Sequence, residues 1–264
     1  MRNDLSGRIL DGKYQVLKLI GAGGMGEVWQ AHDHVLSREV AIKIMLPQYA
    51  SEEWARDAFV KEAQVIANLD HPNILPVYTL EKQLVESENL VFLAMKLAKG
   101  GSLADLLDSG SLQLDEADYI LTQTCDAISY AHKEGIIHLD LKPSNILFDN
   151  EGRVQIVDFG LAKLIVRTTN PKAETNVGTP HYMAPEQIFG SKVGRFSDVY
   201  ALGVTLYQML TGHLPPRDWS GKIVFDQSTL PLAVQTVIKQ AVEPDPKKRY
   251  HTVRALGQAF SLVS

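Results

Sequence analysis

The sequence predicts an α+β protein built in two parts, a small strand-rich part up to about residue 95 and a larger, mainly helical part from about residue 102. In the first part, residues 13–20 alternate polar and apolar side chains, which is typical of a half-buried strand. In the second part, residues 115–134 carry apolar side chains at helical spacing and are followed by Gly135, a residue type that commonly ends helices. Between the two parts, residues 96–101 end in two glycines and have the composition of a connector.

The composition is that of an ordinary globular protein, with 264 residues of which 45% are hydrophobic and 22% are charged. The net charge of −5 gives no support to a nucleic-acid-binding function. The single cysteine, Cys125, cannot form an internal disulfide, which fits a reducing compartment, and its apolar neighbours indicate a core residue rather than a nucleophile.

The hydropathy pattern bears on where the protein acts. No run approaches the roughly 18 apolar residues that a membrane span needs, and the N-terminus has no apolar signal region. We therefore expect no membrane segment in this chain. The expected location is cytoplasmic, either for this chain alone or as the cytoplasmic domain of a larger, membrane-anchored protein.

A glycine-rich stretch, Gly21–Gly26, separates the first predicted strand from a second one at residues 27–31. The tip of such a hairpin exposes backbone N–H groups that can approach a phosphate closely, because few Cβ atoms stand in the way. Dinucleotide-binding proteins use the same glycine spacing, but there a helix follows the glycines. Here Val28 and Trp29 indicate a strand, which excludes that fold.

A third strand is predicted over residues 39–46, in which Lys43 is the only basic residue. Alternation puts Ala41 and Lys43 on the same face of the strand. Val28 and Ala41 are then placed to cover an adenine ring while Lys43 reaches the phosphates. The alternative is a lysine on the solvated face of a strand.

A helix is predicted from Ser51, as its N-cap, to Leu69, and two more strands are predicted around residues 74–80 and 90–95. Glu62 lies at the edge of the apolar stripe of the helix, so its carboxylate can point inward and needs a cation there. Lys43 is the obvious partner, and the alternative is a solvated glutamate.

The ten residues His138–Leu147 bring an acid, a base and an amide together. Asp140 can orient a hydroxyl nucleophile and accept its proton, Lys142 can neutralise charge on a transferred phosphate, and Asn145 can hold a metal ion. Pro143 excludes a regular helix, so the stretch is predicted to be a loop. The alternative is a surface turn with assorted polar residues.

Three later features complete the pattern. Asp158-Phe159-Gly160 follows a predicted strand at residues 153–157, and Asp158 can ligate Mg²⁺. A polar segment follows and ends at Ala184-Pro185-Glu186. Asp198 opens an apolar helix and is placed either to anchor the His138–Leu147 loop or to act as a simple N-cap.

Together these motifs resemble, in order and over essentially the whole chain, those of the eukaryotic-type (Hanks-type) protein kinase family. The stretch Gly21–Trp29 and the Ala-Pro-Glu-Gln ending are similar to bacterial Ser/Thr kinases, and Asp140-Leu-Lys-Pro-Ser-Asn145 to the Ser/Thr class. The resemblance implies a bilobal fold, with a small five-stranded antiparallel sheet and one helix, a larger helical lobe, and ATP between them. We expect residues 1–264 to form one kinase domain, with an N-lobe to about residue 95, a hinge at about 96–101 and a C-lobe at 102–264.

The resemblance also implies a role for each matching residue. The catalytic residues are Asp140, Lys142, Lys43, Glu62 and Thr179, and the ligands of Mg²⁺ or Mn²⁺ are Asn145 and Asp158. ATP contacts a larger set from the glycine hairpin, the third strand, the hinge and the end of the catalytic loop: Ile20, Gly21, Ala22, Gly23, Gly24, Met25, Gly26, Val28, Ala41, Lys43, Met95, Lys96, Ala98 and Leu147. A regulatory spine is expected from Ile66, Val77, His138 and Phe159, and Arg249 is expected to pair with Glu186.

One residue departs from the family pattern. Leu139 stands where the family usually has the arginine that gathers a phosphorylated residue of the activation segment, for which Thr175 is the equivalent site. Leucine cannot make charge-assisted bonds to a phosphate. The remaining cation that could bind this phosphate in place of the arginine is Lys163. We therefore predict little dependence of activity on phosphorylation of Thr175.

Three functions are compatible with the sequence. The leading hypothesis is an active Ser/Thr protein kinase that phosphorylates proteins and is able to autophosphorylate. The alternative is an ATP-binding pseudokinase scaffold, which Leu139 keeps open. A small-molecule phosphotransferase is disfavoured by the segment before Glu186, which in kinases docks a polypeptide. The resemblance leaves open a homodimer and does not name the physiological substrate.

Overall fold

The structure is a computed structural model that describes residues 4–23, 26–85, 88–159, 180–218, 222–225 and 230–264. The predicted nucleotide-binding residues Gly24 and Met25 lie outside the described residues. So does the segment 160–179, which contains the expected positions Gly160, Lys163, Thr175 and Thr179.

The chain divides into two compact units. The first contains the described residues up to Asp70 together with Leu75–Ala98, and the second contains His71–Ile74, Lys99–Phe159 and the described residues of Thr179–Ser264.

The first unit is built on one antiparallel sheet with the strand order β1-β2-β3-β4-β6-β5. Every second residue of β3, from Glu27 to Asp33, is buried, which is the period expected of a strand with one face in a core. The sheet residues are β1 Ile9–Leu10, β2 Tyr14–Ala22, β3 Gly26–Asp33, β4 Arg38–Met45, β5 Val77–Val85 and β6 Glu88–Lys96.

Neighbouring residues of β6 belong to two apolar clusters, which lie on opposite faces of the sheet. Phe92 is fully buried in a cluster that includes Tyr14 and Trp29. Val91 and Leu93 belong to a second cluster, which the sheet shares with Phe59, Ala63 and Met45. The sheet therefore holds the second helix of this unit against one face.

Two expectations for the first unit are wrong. The sheet has six strands among the described residues rather than five, because the two-residue β1 is too short to show alternation. The helical region is split into α1 (Pro47–Ala50) and α2 (Glu53–Ala67), and Ser51 is the C-cap of α1 rather than the N-cap of α2. Pro47 begins α1, since its fixed φ suits a first helical turn, and this early start displaces the predicted cap.

The second unit is mainly helical, with one short antiparallel strand pair. Its elements are α3 Leu103–Leu107, α4 Leu114–Lys133, β7 Ile146–Phe148, β8 Val154–Ile156, α5 Pro185–Ile188, α6 Arg195–Thr211, α7 Leu232–Ala241 and α8 Val253–Ser261. Single 3-10 turns occur at Pro143–Asn145, Pro180–Tyr182 and Pro246–Lys248. Among the described residues, no helix is both long enough and apolar enough to cross a membrane.

Two helix ends in this unit have well-defined caps, and Gly135 lies where the sequence predicted it, just past the end of α4. Ser102 caps α3 through a capping box with Asp105, because its hydroxyl accepts from the Asp105 backbone while the Asp105 carboxylate accepts from the Ser102 backbone. Gly135 follows α4 in the left-handed conformation, with φ of 78°.

The core of the second unit is formed around α6. Twelve of the 17 residues of this helix are buried, so it is apolar on nearly all sides, as expected of a central helix. Gly203 allows α7 to approach closely, since a Cβ at this position would lie 2.7 Å from the Cβ of Ala241.

Cys125 lies in α4 and packs against α8, where a Cβ at Gly257 would come within 3.2 Å of its Sγ. Burial raises the pKa of the Cys125 thiol to about 12. The prediction that this residue belongs to the core is confirmed.

Candidate active site

In the first unit, Lys43 on β4 is paired with Glu62 on α2. The Lys43 Nζ lies 3.3 Å from Glu62 Oε1, and the two side chains are only 16% and 11% exposed. The predicted contact is therefore present, and neither of the solvated alternatives applies. A carboxylate held here fixes the ammonium group over an interior strand of the sheet, where it can receive a phosphate.

The glycine hairpin is formed by the end of β2 and the start of β3. Gly21 is paired with Val28, and the Gly23 N–H donates to the Gly26 carbonyl at 2.8 Å. At Gly21 and Gly23 an added Cβ would meet nothing closer than 3.8 Å, so their lack of side chains keeps this region open. At Gly26 a Cβ would lie 2.7 Å from the Ile44 carbonyl, so glycine is required there by the close approach of β4.

The residues expected around adenine divide between the two units. Ala41 and Met95 are direct partners across β4 and β6, and both are buried. The Lys96 N–H donates to the Pro76 carbonyl at 3.0 Å, so this donor is not available to adenine. Ile20, Ala22, Val28 and Ala98 also lie in the first unit, whereas Leu147 lies in β7 of the second unit.

In the second unit, the side chains of Lys142 and Asn145 both approach one carboxylate oxygen, Oδ2 of Asp140. Asn145 Nδ2 donates to Asp140 Oδ2 at 3.1 Å and to the Asp140 carbonyl at 2.8 Å. Lys142 Nζ lies 3.4 Å from the same Oδ2. The 3-10 turn at Pro143–Asn145 makes this possible, because it brings position 145 back over position 140.

The amide of Asn145 is oriented by these contacts. The side-chain nitrogen of Asn145 donates both of these hydrogen bonds to Asp140, so the side-chain oxygen faces away from Asp140. Within the described residues, no donor bonds to this oxygen. Among the described residues, no group of three or more His, Cys, Asp or Glu side chains is placed to hold a metal ion. Mg²⁺ is commonly held by only one or two protein oxygens together with substrate phosphates, so Asn145 and Asp158 are a donor set that fits this ion.

The backbone of the catalytic loop is fixed from α6 by Asp198. Its carboxylate is fully buried and accepts from the N–H groups of His138 and Leu139, at 2.9 and 2.8 Å, and from His132 Nε2 at 2.7 Å. The expected contact of Asp198 with the loop is present, and Asp198 lies inside the first turn of α6 rather than at its N-cap. Leu139 is held with φ of 64°, a conformation that an L-residue adopts only at a cost.

His138 is a neutral link between the loop and the strand that precedes Asp158. Its Nδ1 accepts from the Asp140 N–H at 3.3 Å and its Nε2 donates to the Val157 carbonyl at 3.0 Å, which defines the tautomer. Burial lowers the pKa of His138, although nearby carboxylates oppose this effect. The ring stacks on Phe159 with centroids 4.5 Å apart, whereas the other expected spine residues, Ile66 and Val77, lie in the first unit.

A buried ion pair holds the helix α5 that follows the activation segment. Arg249 makes two hydrogen bonds of 2.8 Å to the carboxylate oxygens of Glu186, and its side chain is fully buried. Ser197 donates to the same carboxylate at 2.8 Å. The predicted pairing of Arg249 with Glu186 is present.

Sequence reasoning missed two side chains that support the loop. Gln187 is buried, donates from Nε2 to the Leu139 carbonyl at 2.9 Å and accepts from the Ala184 N–H at 3.1 Å. His132 contacts Asp198 from the end of α4. The position of Gln187 directly after Glu186 was a usable signal for its burial, but nothing in the sequence pairs His132 with a residue 66 positions away.

Comparisons with known proteins agree with this geometry. A family model described as the protein kinase domain matches residues 14–260. Serine/threonine-protein kinase PrkC of Bacillus subtilis is 36% identical over 262 residues, which cover 94% of this chain and 40% of that protein. The probable serine/threonine-protein kinase PknB of Lactococcus lactis is 34% identical over 265 residues, which cover 95% of this chain and 42% of that protein.

A solved structure shows the same fold. The crystal structure of the PknI kinase domain of Mycobacterium tuberculosis is similar with a TM-score of 0.77 at 26% identity, and 98% of each chain is covered. The chain spans about two fifths of the length of the curated relatives it matches. The predicted α+β fold class is confirmed, and the chain belongs to the eukaryotic-type protein kinase domain family, among the relatives of bacterial Ser/Thr kinases.

Proposed function

We propose that this chain is an active Ser/Thr protein kinase domain that transfers the γ-phosphate of ATP to serine or threonine hydroxyls of proteins. The observation that carries the proposal is the arrangement at Asp140, whose carboxylate is oriented by the Asn145 amide and lies 3.4 Å from the Lys142 ammonium. A pseudokinase scaffold has no need for such an ordered set. We also propose that residues 1–264 act as one domain, with a hinge at about 96–101.

The residues of the second unit have distinct tasks in this reaction. Asp140 positions the substrate hydroxyl and accepts its proton, and the bond from Asn145 keeps its Oδ2 in place. Lys142 balances charge that builds on the transferred phosphoryl group. Asn145 and Asp158 bind Mg²⁺ or Mn²⁺, and the bound ion supplies Lewis-acid neutralisation of the phosphate oxygens.

The residues of the first unit bind and orient ATP. Lys43 binds the α and β phosphates, and Glu62 keeps its ammonium group positioned. The backbone of the glycine hairpin, at Gly21 and Gly23, covers the phosphates. Ala41 and Met95 border the adenine.

We propose that Leu139 makes the catalytic loop independent of phosphorylation at Thr175. Two hydrogen bonds support this proposal: the Leu139 N–H donates to the Asp198 carboxylate, and the Gln187 amide donates to the Leu139 carbonyl. Both hold the backbone at position 139 through protein groups alone. This backbone therefore does not need an arginine at position 139 that binds a phosphate.

The first test is transfer of labelled γ-phosphate from Mg-ATP to the protein itself and to a generic basic protein. The Asp140→Asn variant is the control, since it keeps the side-chain size and removes the carboxylate. Label that disappears in the variant supports the proposal. If wild type transfers no label while ATP still raises its melting temperature, the chain is an ATP-binding pseudokinase or a kinase that needs a missing partner. Turnover of a metabolite without any labelled protein would identify a small-molecule phosphotransferase.

The second test concerns regulation. Thr175→Ala is expected to keep most of the activity toward a peptide, measured as kcat/KM with purified protein. Loss of most of the activity with folding intact would contradict the proposal. Sedimentation of the same samples reports whether the chain forms a homodimer.

A further inference from the structure

The side chain of Gln187 joins two segments of the second unit that the proposed reaction uses. This residue is only 7% exposed although it carries a polar amide. Its Nε2 donates to the Leu139 carbonyl at 2.9 Å, and its Oε1 accepts from the Ala184 N–H at 3.1 Å. Because a backbone N–H only donates and a carbonyl only accepts, these partners define which end of the amide faces which segment. The amide is therefore a bridge of fixed orientation.

The carbonyl that Gln187 binds belongs to the peptide group that leads into Asp140. At the other end of this group, the Asp140 N–H donates to His138 Nδ1 at 3.3 Å. A planar peptide group turns as one body, so bonds at both ends restrain its rotation. Leu139 needs this restraint, because its φ of 64° is a conformation that costs an L-residue energy. Loss of the Gln187 bond removes the restraint at the carbonyl end, and any rotation there redirects the Asp140 side chain.

The other end of the bridge lies in a segment that is itself anchored. Ala184 is fully buried in an apolar cluster that includes residues of α6. Two residues earlier, the Tyr182 hydroxyl donates to the side chain of Gln208, which also belongs to α6. The residues just before α5 are therefore fixed on α6, and Gln187 connects this fixed segment to the catalytic loop.

We propose that Gln187 is a positioning residue for phosphoryl transfer, which aligns Asp140 with the segment that docks the protein substrate. One hydrogen bond sets the peptide group before Asp140, and the other sets Ala184 beside the docked polypeptide. The proposal rests on the kinase function proposed above, in which the segment before Glu186 receives the polypeptide. It adds that Gln187 keeps the base and the acceptor hydroxyl in register without touching either.

The variant Gln187→Glu removes one end of the bridge and keeps the other. An ionised carboxylate accepts from the Ala184 N–H as before, but its second oxygen faces the Leu139 carbonyl without a proton to donate. When the carboxyl is protonated, that oxygen donates to the carbonyl and restores the missing bond. Burial disfavours the ionised form and raises the pKa of a carboxyl, so the two forms can be compared by changing the pH of the assay.

The pH dependence has to be measured relative to wild type. The ionisable groups on the elements around the bridge are common to both proteins: His138, Asp140, Lys142, the Asp198–His132 pair and the Glu186–Arg249 pair. Dividing kcat of the variant by kcat of wild type at each pH therefore isolates the effect of the introduced carboxyl.

Two further variants complete the comparison. Gln187→Met removes both hydrogen bonds at every pH. Gln235→Glu is the matched control, because Gln235 is another buried glutamine and its Nε2 donates to a backbone carbonyl, that of Leu230, at 2.9 Å. Gln235 lies in α7, outside the residues that carry the reaction. Urea unfolding of all four proteins shows how much stability each substitution removes.

For Gln187→Glu we expect kcat for a serine peptide to be about tenfold below wild type at about pH 9 and to recover at about pH 6.5. Its KM for the peptide should stay unchanged, because the bond to Ala184 is kept. Gln187→Met should lower kcat at every pH and also raise the peptide KM. Gln235→Glu should lose stability and keep wild-type kcat. Wild-type kcat in Gln187→Met overturns the proposal, and so does a kcat ratio for Gln187→Glu that does not change with pH.

Hydrogen exchange of the catalytic loop, measured without ATP, separates this proposal from the kinase function. The Leu139 and Asp140 amides should exchange faster in Gln187→Met and not in Gln235→Glu. If wild type transfers no phosphate but this difference is present, the proposed function fails and the restraint that Gln187 places on the loop stands. If wild type is active and neither kcat nor exchange responds to substitution of Gln187, the positioning role fails alone.

Discussion

Asp198→Asn is the substitution that best tests how the catalytic loop is held. In wild type, Oδ2 accepts from His132 and the His138 N–H, and Oδ1 accepts from the Leu139 N–H. An asparagine can keep the first two bonds with its amide oxygen, but its NH₂ group then faces the Leu139 N–H. One buried donor loses its acceptor and meets another donor.

The magnitude follows from these contacts. A buried donor left without an acceptor costs about 1–3 kcal/mol, so we expect the free energy of unfolding to fall by that amount. The hydrogen bond to the Leu139 N–H also offsets the cost of the left-handed backbone conformation at this residue, which is about 1–2 kcal/mol. Without it, position 139 can relax and shift Asp140, and we expect kcat to fall at least about tenfold, as for a misplaced catalytic group.

The assay combines urea unfolding with steady-state peptide phosphorylation. Asp126→Asn is the control, because this exposed carboxylate pairs with Arg254 at the surface and its loss should change either quantity little. An Asp198→Asn protein with wild-type stability and wild-type kcat would refute the reasoning. A loss of stability with unchanged kcat would show that the loop keeps its geometry without this bond.

Three further substitutions or conditions follow from the structure. Arg249→Met should lower the free energy of unfolding in urea by about 3–5 kcal/mol, because it leaves the buried Glu186 carboxylate unpaired; a change below about 1 kcal/mol would contradict this. Burial lowers the pKa of His138 below its usual 6.5, so the unfolded chain binds a proton first as the pH falls. Stability should therefore decline below about pH 6.5, and the decline should be smaller in His138→Phe. An equal fall in melting temperature with pH in both proteins would contradict this. Gly100→Ala should lower the melting temperature by several degrees, since its Cβ would lie 2.5 Å from the Asp149 carbonyl.

The periodic parts of the fold were predictable from the sequence. Strand β2 shows alternation, β4 is an apolar run with one lysine, and α4 shows an apolar stripe with a following glycine, so their place in the chain was evident. Short elements carry too few residues for a period, which explains why β1 and α1 were missed. Pro47 was a usable start signal for α1 that the choice of Ser51 as a cap overlooked.

The site contacts that the sequence predicted are those in which a partly buried charged side chain needs a partner of opposite charge. A lysine in an apolar strand and a glutamate at the edge of an apolar stripe need each other, and Lys43 and Glu62 do lie in contact. In the second unit, the contact of Asp198 with the loop was predicted as one of two alternatives, but the bond from Gln187 to the Leu139 carbonyl was missed because it ends on a backbone atom. Backbone groups are the same in every residue, so the sequence carries no signal for which of them a buried side chain will bind.

Cys125 has a practical consequence for experiments on this protein. The chain contains one thiol, and it is buried between α4 and α8 with a pKa raised to about 12. A thiol-directed reagent reacts with thiolate, so labelling requires these two helices to separate. Mass spectrometry of the labelled protein over time therefore gives the rate at which this core opens, without any engineered probe, and ligands that slow the reaction can be ranked by it.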